Sequence, residues 1–350
     1  MKFASEFIGA SIIYMDVINK KFPFLLILGL TSLLVSCKTN PPTSSQQPIS
    51  QFGRVFITAN IDSARIYLDG SFTNKFTPDT LVVSKGDHSI EVVKENTPRV
   101  VLLEDFANVS CDPCVLSNRI IESLSNFTYG RSKLVVVKFP TNFPSSSDPF
   151  YLANPTDCSA RRTYYNILFA PTTIIDGIDR PISTDSIDVM EAVDAKLLNS
   201  PRFEVVVTDS ISGGIYLINI YVNSVDKFFP EEKDFSIAPN EFKSLDFTIE
   251  MDTSSIDFSD LVLHTVVTET DIEFSTPPGS NGETKFYDVM RKMLPSNAGE
   301  SLGSIAQTGE GSFQRQVVID PSWDQTHLNT VVYIQNLDTK EVFQAGSTFK

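Results

Sequence analysis

Few residues of this chain are suited to holding a metal ion or a nucleic acid. Only three histidines occur among 350 residues, at positions 88, 264 and 327, far apart and away from any cysteine pair. A zinc or iron site needs clustered ligands at defined spacings, so we expect no metal and no other cofactor. Lysine and arginine total 28 against 43 acidic residues, giving a net charge of −15 and no basic stripe. We therefore expect no nucleic-acid partner.

Long apolar segments are also scarce, and the longest of them ends at a cysteine. Residues 22–35 are apolar and follow Lys20 and Lys21. This run of about 14 residues is shorter than the ~20 needed to cross a bilayer as a helix. A basic flank, a short apolar core and small residues before a cleavage point are typical of a secretory signal. The string Leu-Val-Ser-Cys that ends at Cys37 resembles the lipobox of bacterial lipoproteins.

The lipobox resemblance implies that Cys37 is acylated, for example with palmitate, and becomes the mature N-terminus. Two or more acyl chains hold a soluble domain at a membrane. Residues 1–36 are then a signal peptide, whether translation begins at Met1 or at Met15. Residues 37–52, rich in proline, serine and glutamine, are a flexible tether. An uncleaved signal anchor and an ordinary signal peptide are the alternatives.

Residues 53–97 are predicted to form a small β module. Apolar and polar residues alternate, and Asp69-Gly70 is a hairpin turn signal. The order of the strand, Asp-Gly turn, Thr77-Pro78 and the later Gly86-Asp87 resembles a PEGA domain, a small β-sandwich of bacterial surface proteins. The Pro-Glu-Gly-Ala string of that family is absent. A module of this size buries little core, so we interpret it as a spacer.

Residues 98–200 are predicted to form an α/β unit around a Cys-x-x-Cys motif. A continuous apolar run at 100–103, typical of a buried parallel strand, leads into Cys111-Asp112-Pro113-Cys114 and then into an amphipathic helix. A second apolar strand and two further helices follow. This order and motif resemble a thioredoxin-like domain. The resemblance implies a buried proton-accepting acid at Asp105 and a cis proline at Pro171 opposite the cysteines.

The motif is compatible with redox chemistry and with a structural bond. A cysteine at a helix N-terminus has its thiolate stabilised by free amides and the helix dipole, so Cys111 is the expected attacking and accessible sulfur, with Cys114 buried and resolving. The negative charge of Asp112 opposes that thiolate and predicts a reducing potential. A static Cys111–Cys114 disulfide, or two free thiols, are the alternatives. Cys158 is either buried or a third redox partner, and the insertion at 141–155 is expected beside the pair.

Residues 201–350 are predicted to form a β-sandwich, because short strand-like runs alternate with turn signals such as Pro277-Pro278-Gly279. The predicted strands make a closed set and no cysteine links them to the rest of the chain, so this segment is expected to fold alone. The lipobox, the string leading into Cys111, and the later Tyr-Asp-Val-Met-Arg-Lys-Met-Leu-Pro at 287–295 together resemble the family of the 28-kDa outer-membrane protein. That family combines a lipid anchor, a thioredoxin-like domain and a β-rich C-terminus.

Two functions remain open at this stage. The first is a thiol–disulfide oxidoreductase of the bacterial envelope, tethered to the membrane (the outer membrane by the resemblance) through Cys37. It would exchange disulfides with envelope proteins through Cys111 and Cys114, aided by Asp105 and Pro171. The second is a non-catalytic outer-membrane scaffold or adhesin, in which the disulfide only staples a loop. The potential and reactivity of the cysteine pair separate the two.

Overall fold

The computed structural model describes residues 51–252 and 254–349. The predicted lipidation site at Cys37, the signal peptide and nearly all of the tether lie outside the described residues. Among the residues that the structure does describe, no helix is long and apolar enough to cross a membrane.

The first half of the chain contains five short strands and then a mixed α/β segment. Its elements are Phe52–Ala59 (β1), Arg65–Leu68 (β2), Ser71–Phe76 (β3), Asp79–Ser84 (β4), Gly86–Val93 (β5), Val101–Ala107 (β6), Asp112–Ser123 (α1), Leu134–Pro140 (β7), Pro149–Ala153 (α2), Pro155–Tyr164 (α3), Thr172–Ile175 (β8) and Ser186–Leu197 (α4). A π-helical turn, Leu124–Thr128, continues α1.

The second half is built from strands with two short 3₁₀ turns, Leu302–Ile305 and Gln325–His327. Its strands are Phe203–Ser212 (β9), Ile215–Ser224 (β10), Lys227–Phe228 (β11), Glu231–Ile237 (β12), Phe242–Phe247 (β13), Met251–Asp252 (β14), Leu261–Glu269 (β15), Ile272–Glu273 (β16), Lys285–Phe286 (β17), Val289–Leu294 (β18), Glu300–Ser301 (β19), Glu310–Val318 (β20), Leu328–Asn336 (β21) and Val342–Ser347 (β22). The fold is therefore β-rich and mixed.

The N-terminal β module forms, but it is completed by strands from far along the chain. One sheet has the order β12-β5-β2-β3 and the other the order β13-β1-β4. Alternate residues of β1, such as Val55 and Ile57, are fully buried in a core that also contains Phe235 and Phe247 of β12 and β13. The expected limits of 53–97 are thus too narrow, because residues 231–247 supply one edge strand of each sheet.

One large sheet unites the middle and the end of the chain. Its order is β22-β21-β15-β18-β7-β6-β8, with β19 pairing with β15. Strand β6 runs parallel to β7 and antiparallel to β8. Every residue of β7 and β15 is buried, as expected of strands covered on both faces. The apolar runs therefore mark buried strands, as predicted.

The two faces of this sheet carry different helices. Val101 and Leu103 of β6 pack against α4, whereas Leu102 and Phe106 pack on the opposite face with Cys158 of α3. This division follows from the period of two in a β-strand. The two layers hold β6, and thus the loop that follows it, in a fixed place.

The expectation that residues 201–350 form a self-contained sandwich is wrong. Two sheets do pack in this region, and the predicted apolar face of β10 is buried, but the sheet it covers also contains β6, β7 and β8. A buried ion pair crosses the same expected boundary. Arg161 of α3 donates to Glu104 of β6 at 2.8 Å, and Tyr165, which bonds the same carboxylate, accepts from Gln335 of β21 at 2.9 Å.

Candidate functional site

The two cysteines of the motif form a disulfide where β6 passes into α1. Their Cα atoms are 5.3 Å apart, and Cys111 is the N-cap residue of the helix. The amide of Cys114 donates to the carbonyl of Cys111 at 3.1 Å, which is the first turn of the helix. Cys111 is 3% exposed and Cys114 is 0% exposed. The expected contrast between an accessible and a buried sulfur is therefore small in this oxidised form.

Asp105 lies on β6, six residues before the pair, and is fully buried. It is in register with Lys138 of β7 on one side and with Thr173 of β8 on the other. Its Oδ1 accepts from the Thr173 hydroxyl at 3.2 Å, and its Oδ2 has no hydrogen-bond partner among the described residues. Burial raises the pKa of Asp105 to about 6, against the opposing charge of Lys138. The carboxyl thus titrates close to neutral pH.

The loop before Cys111 is tied to the insertion at residues 141–155. The Asn108 side-chain amide donates to the carbonyls of Thr141 and Ser145 at 2.6 and 2.9 Å. The Asp148 carboxylate accepts from the Val109 amide at 2.9 Å and also caps α2. The insertion therefore lies beside the cysteine pair, where the sequence places it.

Two apolar clefts open at the disulfide. One, of about 370 Å³, is lined by Cys111 together with residues of the insertion and the segment before β8. The other, of about 600 Å³, lies next to it and includes Pro171, whose bond to Ala170 is cis, as the resemblance implies. Leu168 and Phe169 line both clefts and are 73% and 68% exposed. Both side chains therefore expose apolar surface at the rims of the two clefts.

Sequence reasoning missed the segment that covers the other side of the motif. Residues 277–284, here called the 277–284 loop, belong to the β16–β17 hairpin and contact the backbone at Val109 and Cys111. Within it, Glu283 accepts from Asn118 of α1 at 2.8 Å. The Pro-Pro-Gly turn signal predicts only a turn between strands, and no local pattern indicates its contact with a motif about 170 residues earlier.

Cys158 is buried and unpaired in the core of the sheet. Burial raises the pKa of its thiol well above the usual range, with the nearby charge of Asp157 acting in the same direction. A thiol of this kind is inert, which favours the buried alternative over a third redox partner. In residues 51–252 and 254–349, no cluster of three histidine, cysteine or acidic side chains is arranged to hold a metal ion.

The protein is thus a β-rich chain with a disulfide at a helix start and a buried acid nearby. No known protein family and no curated protein matches the sequence. Among solved structures, the chain is similar to HBP35 of Porphyromonas gingivalis, with a TM-score of 0.52 and 14% identity, over 73% of this chain and 76% of that one. This likeness supports a shared fold.

Two further structures align less closely. A domain of the outer membrane lipoprotein Omp28 from Porphyromonas gingivalis gives a TM-score of 0.25 at 9% identity, over 43% of this chain and 88% of that one. A protein from Agrobacterium tumefaciens gives 0.43 at 11% identity, over 72% of this chain and 95% of that one. Both scores are too low to carry an argument about this protein.

Proposed function

We propose that this protein is a thiol–disulfide exchange protein of the bacterial envelope, acting through Cys111 and Cys114 in a thioredoxin-like unit. The order of strands and helices from β6 to α4 supports that unit, with β6 parallel to β7 and antiparallel to β8. The lipobox supports a membrane tether through Cys37. The N-terminal β module is proposed as a PEGA-like spacer between the tether and this unit.

The observation that carries the proposal is the buried carboxyl of Asp105. Burying a carboxylate with one oxygen unpaired costs free energy. A disulfide that only cross-links a loop does not need such a buried acid. A pKa of about 6 suits a group that accepts a proton near neutral pH. We therefore assign Asp105 as the proton acceptor for the resolving cysteine.

The exchange balances in two steps. The Cys111 thiolate attacks one sulfur of a partner disulfide, forming a mixed disulfide and releasing the other partner sulfur as a thiolate. Asp105 then takes the proton of the Cys114 thiol, and the Cys114 sulfur attacks Cys111. The partner leaves as a dithiol with two electrons gained, and the observed Cys111–Cys114 disulfide forms. A dithiol donor of the envelope must reduce that bond before the next cycle.

The clefts beside Cys111 support a polypeptide as the partner. Leu168 and Phe169 expose large apolar surface on the rim of both clefts, and Ile182 adds a third side chain that is 64% exposed. A flexible segment with apolar residues near a cysteine would bury this surface and bring its sulfur to Cys111. Envelope proteins with exposed disulfides are the partners we propose.

A trapping experiment tests the proposal. Cys114→Ala removes the resolving sulfur, so the first mixed disulfide should persist and appear as adducts on non-reducing gels. Cys111→Ala, in which the attacking sulfur is missing, should trap none, and Cys158→Ala should behave like the unmodified protein because that thiol is buried. Absence of adducts from Cys114→Ala in intact envelopes would contradict the proposal.

One observation favours the second candidate, a scaffold or adhesin with a structural disulfide. Both sulfurs are almost fully buried, whereas an attacking cysteine must be reached by its partner. The reduction potential separates the two functions. Catalytic pairs lie roughly between −270 and −120 mV and structural bonds usually below about −300 mV. We expect a value at the reducing end of the catalytic range, since Asp112 opposes a stable thiolate.

A further inference from the structure

The 277–284 loop makes backbone contact with the cysteine motif. The Asn281 amide donates to the Val109 carbonyl at 3.2 Å. Gly279 approaches so closely that an added Cβ would lie 2.1 Å from the same carbonyl oxygen. A side chain at position 279 would therefore push the loop away from the residues that precede Cys111.

Side chains of the loop extend this contact to Cys111 itself. The Asn281 Nδ2 donates to the Cys111 carbonyl at 3.4 Å and to Glu283 Oε2 at 2.7 Å. The other oxygen of Glu283 accepts from Asn118 Nδ2, on the buried side of α1, at 2.8 Å. One short segment thus holds both the start of α1 and its second turn.

Glu283 also faces the surroundings of the buried acid. It lines a small cavity of about 30 Å³ together with Lys138, the residue in register with Asp105. Lys138 is nearly buried and donates to Glu122 of α1 at 3.3 Å. The charges that act on Asp105 are therefore those of Lys138 on β7 and Glu283 on the 277–284 loop, and Lys138 is itself paired with Glu122 of α1.

We infer that Asn281 and Glu283 are positioning residues of the disulfide site, with Asn281 hydrogen-bonded to the Cys111 backbone and Glu283 adding a negative charge to the surroundings of Asp105. The inference rests on the proposed function, since it assigns the loop a role in that chemistry. A redox unit of this kind is incomplete without the hairpin supplied from the C-terminal half. Displacement of the loop would release the Cys111 turn and change the proton affinity of Asp105 together.

The charges give the direction of the effect. The negative charge of Glu283 adds to burial in raising the pKa of Asp105, whereas Lys138 lowers it. Glu283→Gln removes the charge and keeps one oxygen that can accept from Asn118, whereas its NH2 group cannot accept from Asn281. The pKa of Asp105 should then fall, because a like charge has been taken away.

A carbon-13 NMR titration of the Asp105 carboxyl, on the oxidised full-length protein, measures this shift. Glu273→Gln is the matched control, because Glu273 lies on the same hairpin, is largely exposed and pairs with Lys285. We expect the titration to move to lower pH in Glu283→Gln and to stay in place in Glu273→Gln. An unchanged Asp105 titration in Glu283→Gln would overturn the role assigned to that residue.

The clamp is tested by redox equilibrium with glutathione. The proposed clamp requires that the Asn281 contacts stabilise the disulfide form more than the dithiol form, so Asn281→Ala should lower the equilibrium ratio of oxidised to reduced protein by about fivefold, the net effect expected of one hydrogen bond. A ratio within twofold of the unmodified protein would overturn the clamp. The NMR titration and the glutathione equilibrium need no partner protein, whereas adduct trapping does. Failure of the proposed function and failure of the roles of Asn281 and Glu283 can therefore be told apart.

Discussion

The buried Asp105 makes a prediction about stability that runs against the usual effect of a core substitution. We expect Asp105→Asn to stabilise the folded protein at neutral and higher pH, because it removes a carboxylate that folding forces into an apolar place. Asparagine has almost the same shape and keeps an oxygen that can accept from Thr173. The folded protein would thus gain stability while it loses the proposed proton acceptor, the outcome expected where a residue is retained for function at a cost in stability.

The magnitude follows from the shift in pKa. Folding raises the pKa of Asp105 from 3.8 to about 6, and each unit corresponds to about 1.36 kcal/mol. An acid whose pKa is higher in the folded protein than in the unfolded chain favours folding most at pH values below its unfolded pKa. This contribution to the free energy of unfolding is lost as the pH rises through the folded pKa. The penalty removed by Asp105→Asn is therefore roughly 3 kcal/mol at pH 8 and close to zero at pH 3.5.

The new amide group offsets part of this gain, because its two protons lose water without an assured partner, at a cost of about 1–3 kcal/mol. That cost is the same at every pH. The difference between the two pH values therefore isolates the carboxylate and should stay near 3 kcal/mol.

Urea unfolding of the oxidised full-length protein from pH 3.5 to 8 measures the effect. The stability of Asp105→Asn relative to the unmodified protein should rise between pH 4 and 6 and then level off. Asp257→Asn is the control: this exposed carboxyl has its pKa lowered by the Ser259 backbone, so its pH dependence has the opposite sign. A relative stability of Asp105→Asn that is flat across this range would refute the reasoning.

Three further predictions address the anchor, the boundaries and the loop. Cys37→Ser should abolish labelling with radioactive palmitate and release the protein from membranes, whereas persistent labelling would contradict the lipobox. Fragments 98–200 and 201–350 should each fail to unfold cooperatively when expressed alone, because they share one sheet; a sharp thermal transition in either would disprove this dependence. Gly279→Ala should destabilise the protein by about 1–3 kcal/mol through overpacking against Val109, measured by urea unfolding, and no loss would show that the loop adjusts freely.

Several features of the site could be predicted from short stretches of sequence. The spacing of the two cysteines, with a proline between them, indicates a helix start. The continuous apolar runs of β6 and β7 indicate strands buried on both faces. These predictions succeed because the information lies within a few residues, where backbone geometry alone fixes which side chains are neighbours.

The domain boundaries could not be predicted from short stretches of sequence. Residues 231–247 were assigned to a C-terminal sandwich, yet β12 and β13 each pair with a strand of the N-terminal module. Strand-like residues show that a strand forms, but the backbone groups that pair it are the same in every strand. Partner choice is therefore decided by the assembly of the whole chain.

The sequence by itself determined the cysteine pair, the strand that delivers it and the acid at position 105. Only the tertiary structure decided that Glu283 and Asn281 contact the start of α1 and that Glu104 and Arg161 hold α3 to the central sheet. The physical reason is distance along the chain. Contacts between residues more than about 50 positions apart arise from packing and strand pairing, which no local pattern of residues encodes.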